Sequence, residues 1–457
     1  MERRTFLEAG SLAGSLGLAA LLPAAADAAQ AAVSADSKGN TVMPDPEWDA
    51  LAAAMRSEPL LHYARARQVM EQRGLDGLVL IRAQNVYQAA NFWPLTDRMG
   101  HAPSCAVVLP RDPKRRPVLV IPQFTYYYIY SDGGPRSFVD HLLYAPAGAL
   151  RVFNQVDADA ISDKERRRLA DLAPHAGRVQ QNFMDALRLA IREAGLEAGK
   201  LGVDEDLAAR MISAMDLAAI TQPAQEDVAF IRMVKSPLEI RMMREASRRN
   251  LESAHAAIAT LRDGATIREF RTRYFTEAAQ RGMSGVFMVI DKSSVPTFDA
   301  TLRAGQSMLI DCVSHFQQYH GDYGRTVVIG EPSRGMQRAT EAMSFAWTAI
   351  REQLKPGLTD ADIRRLGVEA LKKGGYSTTI GFTPHSVGLQ HSDGPRRTDG
   401  IVPAPMGMTL EPGMIISVDC PLFDEGIGGS GHLEDLTLIT ADGSECIHDQ
   451  SPHVLKV

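Results

Sequence analysis

The chain is poor in the features that would point elsewhere. It has four cysteines in 457 residues, Cys105, Cys312, Cys420 and Cys446, with no Cys-x-x-Cys, so a zinc ribbon is excluded. They read as small buried hydrophobes. Positive charge is not in excess: the net charge is −6, and lysine and arginine are scattered. The short charged patch 164–168 reads as a solvated helix face, which leaves no electrostatic case for nucleic acid. Beyond the first thirty residues no apolar run is long enough to cross a bilayer, and no short-period repeat is visible. What the chain has is hydrophobic residues, 45 % of the total, enough for a large core spread over two or three domains.

The N-terminus stands apart. Arg3 and Arg4 precede Phe6 and Leu7, then a Gly/Ala/Leu-rich run extends from Ala9 to Ala26 and meets Ala26–Asp27–Ala28. This resembles a twin-arginine export signal over 1–28, followed by a flexible leader over 29–46. It implies a periplasmic or secreted protein that has no membrane association once the signal is cleaved. Export in the folded state suits a cofactor loaded in the cytoplasm.

From about Glu47 the pattern becomes globular. Leu61 to Arg73 reads as a helix stopped at Gly74, Gly77 to Arg82 as a buried strand, and Ser104 to Leu109 and Pro117 to Ile121 as two more. Val179 to Ala194 reads as a helix and Leu201 to Asp204 as a strand, so 47–224 is an α/β domain. The polar stretch Gln222 to Asp227 is the expected boundary. Beyond it, over 225–457, helices are expected from Leu238 to about Leu261 and from Gly335 to Leu354, then another capped by Thr359 with Asp362. They alternate with strand-rich stretches, an α+β pattern of covering helices on antiparallel sheet.

The chemistry gathers in these later strands. Asp311 closes the apolar run Met308–Ile310, and Asp322 precedes Val327–Ile329, eleven positions on from the first acid. Read as strand, connection and strand, the two carboxylates come together, and a cation between them relieves their repulsion. Cys312 and Cys420 each follow one of the candidate acids and should point to the opposite face of their strands. Downstream lie His385 in TPHSVGLQHSDGP, Asp419 in LEPGMIISVDCP and Glu434 in GHLEDLTLIT. One histidine and four carboxylates suit two divalent ions about 3.5–4 Å apart better than one. The donor set favours Mn, Fe or Co and is compatible with Zn.

This order resembles the pita-bread metallopeptidases: methionine aminopeptidase, aminopeptidase P, prolidase and their metal-free relative creatinase. The resemblance implies a creatinase/prolidase-like N-terminal α/β domain followed by a pita-bread catalytic domain. It also implies metal ligands Asp311, Asp322, His385, Asp419 and Glu434, with Asp419 and His391 as catalytic groups. A homodimer acting on short peptides, Xaa-Pro among them, or on another small molecule is implied as well. Arg325 corresponds to an arginine that supports the carboxylates. Aromatic residues of the N-terminal domain, Phe92, Trp93, Tyr126, Tyr127, Tyr128 and Tyr130, read first as packing and second as pocket walls. Arg396 and Arg397 read either as a solvated loop or as partners for a substrate carboxylate.

Three departures bear on the reaction. Asp419 stands where the family has glutamate, one methylene longer by about 1.5 Å. Thr297 or Phe298 stands where the peptidases carry a histidine. His391 lies six positions after His385 where seven is usual, which leaves open whether His391 or Ser392 takes that place, with Asp393 beside them. All five ligand positions keep oxygen or nitrogen donors. A metal-dependent hydrolase is therefore expected, with a lyase or specialised amidohydrolase on the same scaffold, or a non-catalytic binding protein, as alternatives.

Overall fold

The computed structural model describes residues 45–131, 134–145, 162–291, 293–295, 297–377, 381–397, 404–405, 407–423, 426–447 and 452–457. The expected signal, 1–28, and nearly all of the leader lie outside them. The chain divides into two units, Met1–Ala50 and Leu51–Val457. Of the first, 45–50 are described and a helix opens there at Pro46. All that follows concerns the second.

Its leading part is a six-stranded mixed sheet. The strands are β1 (Gly77–Leu80), β2 (Ala106–Pro110), β3 (Val118–Pro122), β4 (Asp140–Tyr144), β5 (Lys200–Val203) and β6 (Ile220–Pro223), in the order β4-β3-β2-β1-β5-β6. β1, β2 and β3 are buried along their whole length, which is why they read as unbroken apolar runs. Alternate residues feed two cores. Leu78, Leu80, Val107, Leu109 and Leu119 face one side; Val79, Val108, Val118, Val120 and Val203 face the other, under the helix Phe183–Glu193. That helix starts later than Val179, because Asn182 caps it through the Asp185 backbone amide. The polar stretch Gln222–Asp227 is not a linker. Gln222 and Pro223 end β6, an edge strand that tolerates polar residues, and Gln225–Met233 is a helix.

The rest of the unit is built from two half-sheets. β7 (Ser284–Ile290), β8 (Ser307–Phe316) and β9 (Tyr319–Val328) form antiparallel neighbours, with the C-terminal β16 (Val454–Lys456) parallel to β9. The helices Pro237–Ile258 and Ile267–Gln280 back this sheet through Ala254, Ile258, Phe270 and Tyr274 against Met288, Ile310, Cys312 and Tyr323. The second half-sheet is β10 (Thr383–Ser386), β13 (Ile415–Asp419), β14 (Thr437–Ile439) and β15 (Ser444–Cys446); the two-residue strands β11 (Arg396–Arg397) and β12 (Ala404–Pro405) pair apart from it. It is backed by Arg334–Arg351 and Asp360–Lys373, with Met343, Trp347 and Leu371 packed on Ile416, Val418 and Cys420. Each helix-backed face is apolar, and the backbone bridge Gly324–Glu434 joins the segment before β14 to β9.

Three of these helices start at reciprocal caps, Ser236 with Glu239, Thr266 with Glu269 and Thr359 with Asp362. The second belongs to Ile267–Gln280, which periodicity alone does not reveal. Its buried Ile267, Phe270, Tyr274 and Ala278 are interleaved with five charged residues, four of them arginine or glutamate in the first two turns. The hairpin also differs from expectation. Asp311 and Asp322 are not at strand ends but inside strands of ten residues each, joined at Gln317 and Gln318. Both glutamines have positive φ, 48° and 71°, the conformation of a tight two-residue hairpin turn usually marked by Asn or Gly.

Candidate metal centre

The hairpin sets the first two acids. Asp311 pairs with Gly324 and Val313 with Asp322, so the two carboxylates are diagonal neighbours on one face. Cys312, between them in register with Tyr323, points into the helix-backed core, as alternation requires. Cys420 is likewise buried in the other core.

The second half-sheet supplies the remaining groups. His385 on β10 is opposite Ser417 on β13, and Asp419 is two residues further along the same strand. His385 Nε2 lies 3.1 Å from Asp419 Oδ1, 3.6 Å from Glu434 Oε1 and 3.8 Å from Asp322 Oδ2. Ser417 Oγ donates to Glu434 Oε1 at 2.5 Å. The backbone of Glu434 is fixed from both sides. Its amide donates to Gly324 O at 3.1 Å, and Arg325 donates to its carbonyl at 2.7 Å. Asp435 points the other way, into a buried ion pair with Arg325 at 2.6 Å, and accepts from Trp347 Nε1. Arg325 thus supports the Glu434 strand from behind, as its position beside Asp322 suggests.

His391 reaches the site. Its Nε2 is 3.2 Å from Asp322 Oδ2, and its ring packs against His385 and edge-on against Phe287. The loop after β10 makes up the missing residue of spacing. Asp393 accepts from the Leu389 amide and from Arg232, the Asp393 amide donates to Ser386 O, and the His320 amide donates to Gly388 O. Burial would raise the Asp393 carboxyl, yet Arg232 and Lys235 beside it hold it below the ordinary range. Thr297 and Phe298 are exposed and supply no equivalent of a histidine.

Two sets of donor atoms converge, each within 4.8 Å: Asp322, His385, His391 and Glu434 in one, Asp311, His432 and Glu434 in the other. Glu434 belongs to both. His432 is the residue that the motif reading missed. It sits two positions before Glu434 on an extended segment, so both side chains share a face, and that i, i+2 spacing is the signal. Asp419 adjoins these groups: its Oδ1 is 3.1 Å from His385 Nε2, its carboxyl also lies against Glu434, and its side chain is 25 % exposed.

The donors fit divalent cations. Asp322 is fully buried, yet neither carboxylate oxygen accepts a hydrogen bond, and Asp311 Oδ1 is also buried without one. Unsatisfied buried carboxylate oxygens are costly unless a cation completes them. With protons as the only compensation, burial and then the charge of Glu434 push both aspartates well above the ordinary carboxylate range. Burial likewise lifts Asp419, to about 6. Glu434 is the one acid held well below it: burial opposes its charge, but His385 and His432 hydrogen-bond to it and outweigh that cost.

Comparison with known proteins agrees with this geometry. The profile of metallopeptidase family M24 matches residues 241–441, which include every donor named above. An Xaa-Pro dipeptidase of Pyrococcus horikoshii is 26 % identical over 226 residues, 47 % of this chain and 62 % of that protein. An uncharacterized peptidase of Bacillus subtilis is 25 % identical over 292 residues, 61 % of this chain and 79 % of its own. The chain thus spans less than two thirds of the length of the first of these relatives. Among solved structures, an Xaa-Pro dipeptidase from Bacillus anthracis superposes with a TM-score of 0.62 at 17 % identity, covering 86 % of this chain and 99 % of that one. The prolidase from Pyrococcus horikoshii gives 0.60 at 17 %, covering 85 % and 98 %. The fold is therefore that of the prolidases, an N-terminal α/β part followed by the pita-bread arrangement of two helix-backed half-sheets.

Proposed function

We propose that this chain, which belongs to metallopeptidase family M24 through residues 241–441, is a metal-dependent hydrolase of a short peptide or another small amide, working with two divalent ions. The observation that carries the reading is the pair of donor sets sharing Glu434, with buried carboxylate oxygens that nothing in the protein satisfies. Ions bound there supply Lewis-acid polarisation and make water more acidic. Asp311, Asp322, His385, Asp419 and Glu434 would hold them, with His391 beside Asp322; the metal need not be Mn, since Fe, Co and Zn suit the same donors. Asp419, hydrogen-bonded to His385 and partly exposed, also has the access to take or return a proton at a carboxylate oxygen as substrate arrives. Metal analysis of the purified chain, then hydrolysis of an Xaa-Pro dipeptide panel with Mn or Co added, tests this. A folded protein that takes up no metal sinks it.

A second reading, a lyase or specialised amidohydrolase on the same scaffold, is favoured by the shorter Asp419 standing where a glutamate is usual and by the exposed Thr297. It predicts metal uptake without Xaa-Pro cleavage, and no gain from Asp419→Glu. Dipeptide turnover that rises in Asp419→Glu overturns it.

Twin-arginine export to the periplasm or beyond, suggested by Arg3, Arg4, Phe6 and Leu7, is a further part of the proposal. Replacing both arginines by lysine should retain the protein in the cytoplasm; unchanged export disproves it. The homodimer implied by the family resemblance is checked by sedimentation equilibrium, where a monomer at micromolar concentration refutes it.

A further inference from the structure

We propose that His432 is a ligand to the cation held by Asp311 and Glu434, so that the centre carries imidazole on both sides of Glu434. This deepens the metal reading above and rests on it. A ligand set read from motif order alone has one histidine; the donor atoms that converge here include three, His385 and His391 in one set and His432 in the other.

The position of the His432 ring is built by a glycine. A Cβ on Gly324 would lie 2.2 Å from His432 Cδ2 and 2.5 Å from Nε2, so any other residue there would expel the ring. Gly324 is the register partner of Asp311. The missing side chain is what lets an imidazole from the second half-sheet lie alongside a carboxylate of the first. The ring is 3 % exposed, and its Nε2 faces Glu434 Oε2 at 3.1 Å. Its Nδ1 is buried with no hydrogen-bond partner, so no structural acceptor fixes which nitrogen carries the proton, and Nε2 is able to present a lone pair. Asp311 Oδ1, the other open donor of this set, is also without a partner. A histidine serving only to neutralise Glu434 needs neither the glycine seat beside Asp311 nor that unsatisfied oxygen.

The consequence is a centre richer in nitrogen than five oxygen-dominated positions imply. Imidazole donors move preference from Mn toward Fe, Co, Ni or Zn. The Asp311 site, otherwise all carboxylate, changes most.

The test uses the full chain, stripped of metal and titrated with Co(II), followed by calorimetry, by metal count and by the visible absorption of bound cobalt. The wild type should bind two ions per chain. His432→Gln should lose at least about tenfold in one of the two affinities and change the cobalt spectrum, with far-UV circular dichroism unaltered. Gly324→Ala, which crowds the ring most and the Glu434 Cβ at 2.9 Å as well while leaving all donors in the chain, should weaken binding at least as much. Should His432→Gln not fold, His432→Asn, which keeps a donor for Glu434, gives the same readout. Two affinities within about twofold of wild type and an unchanged spectrum in the His432 and Gly324 variants overturn this inference alone. A wild type that binds no cobalt overturns the metal reading with it.

Discussion

Asp322 is the residue on which the metal reading depends most. It is fully buried, its carboxylate oxygens accept no hydrogen bond, and His385 and His391 both approach it. Asp322→Asn keeps the shape and removes the charge. Affinity for Co(II) or Mn(II) should fall by on the order of 10–100-fold or more, measured by calorimetry, while the fold persists. Glu239 makes a separate prediction. It is buried and accepts from Gln88 Nε2, Tyr319 OH and the Ser236 amide. Burial, the largest effect, pushes its carboxyl up to about 7, while Lys235 and these donors pull the other way. The folded-state value is raised, so its contribution to stability is full below the ordinary pKa and is lost as pH rises through about 7. The unfolding free energy should fall between about pH 4.5 and 7, by an amount on the order of 3 kcal/mol, and level off above; Glu239→Gln should flatten that slope. At this scale the sequence made Asp311, Asp322, His385, Asp419 and Glu434 visible as candidates, because each adjoins an apolar strand or a recognisable motif. His432 was not visible as a site residue, because a histidine inside GHLEDL gains meaning only once its ring is known to lie over Gly324.

The β8–β9 hairpin is the element that sets the geometry, and it is pressed tightly onto its helix. A Cβ on Gly321 would stand 2.4 Å from Ala246 O and 2.6 Å from Asn250 Cβ, both on Pro237–Ile258. Gly321→Ala should therefore force strand and helix apart. We expect a loss of about 1–3 kcal/mol in urea denaturation, and weaker metal binding because Asp322 is the next residue. A variant as stable as wild type would mean that the contact relaxes freely. The helices were largely legible, since caps such as Thr359 with Asp362 are local and written in a few residues. The hairpin turn was not: Gln317 and Gln318 take positive φ without the residues that advertise it, and the strands flanking them are rich in polar groups. Asp311 and Asp322 among them face a cluster of donors rather than solvent, which no periodicity distinguishes.

Across the whole unit, one buried arginine ties three parts together. Arg232, on the helix that leaves the first sheet, pairs with Asp393 at 2.7 Å and donates to Asn85 Oδ1 at 2.7 Å, and Asn85 in turn donates to Asp204. The N-terminal sheet, the connecting helix and the loop that carries His391 thus share one polar network. Arg232→Met strips buried Asp393 of its hydrogen-bonded partner and leaves Lys235 as the nearby positive charge, and should cost up to about 3–5 kcal/mol in chemical denaturation. Adding Asp393→Leu should recover part of that stability, whereas His391 placement, read as metal affinity, should stay impaired. The amino-acid sequence by itself made most strands and helices legible, and a cap such as Thr359 with Asp362, because these rest on local periodicity and short-range spacing. It made Asp311, Asp322, His385, Asp419 and Glu434 the expected ligands, with Asp419 and His391 as catalytic groups, and left open whether His391 or Ser392 takes the second histidine place. Tertiary structure brought His391 to Asp322, Asp419 to His385, and His432 to Asp311 and Glu434. The physical reason is distance: converging donors belong to strands widely separated in the chain, and whether two side chains meet depends on register, on a loop held by a buried ion pair, and on a glycine that leaves room.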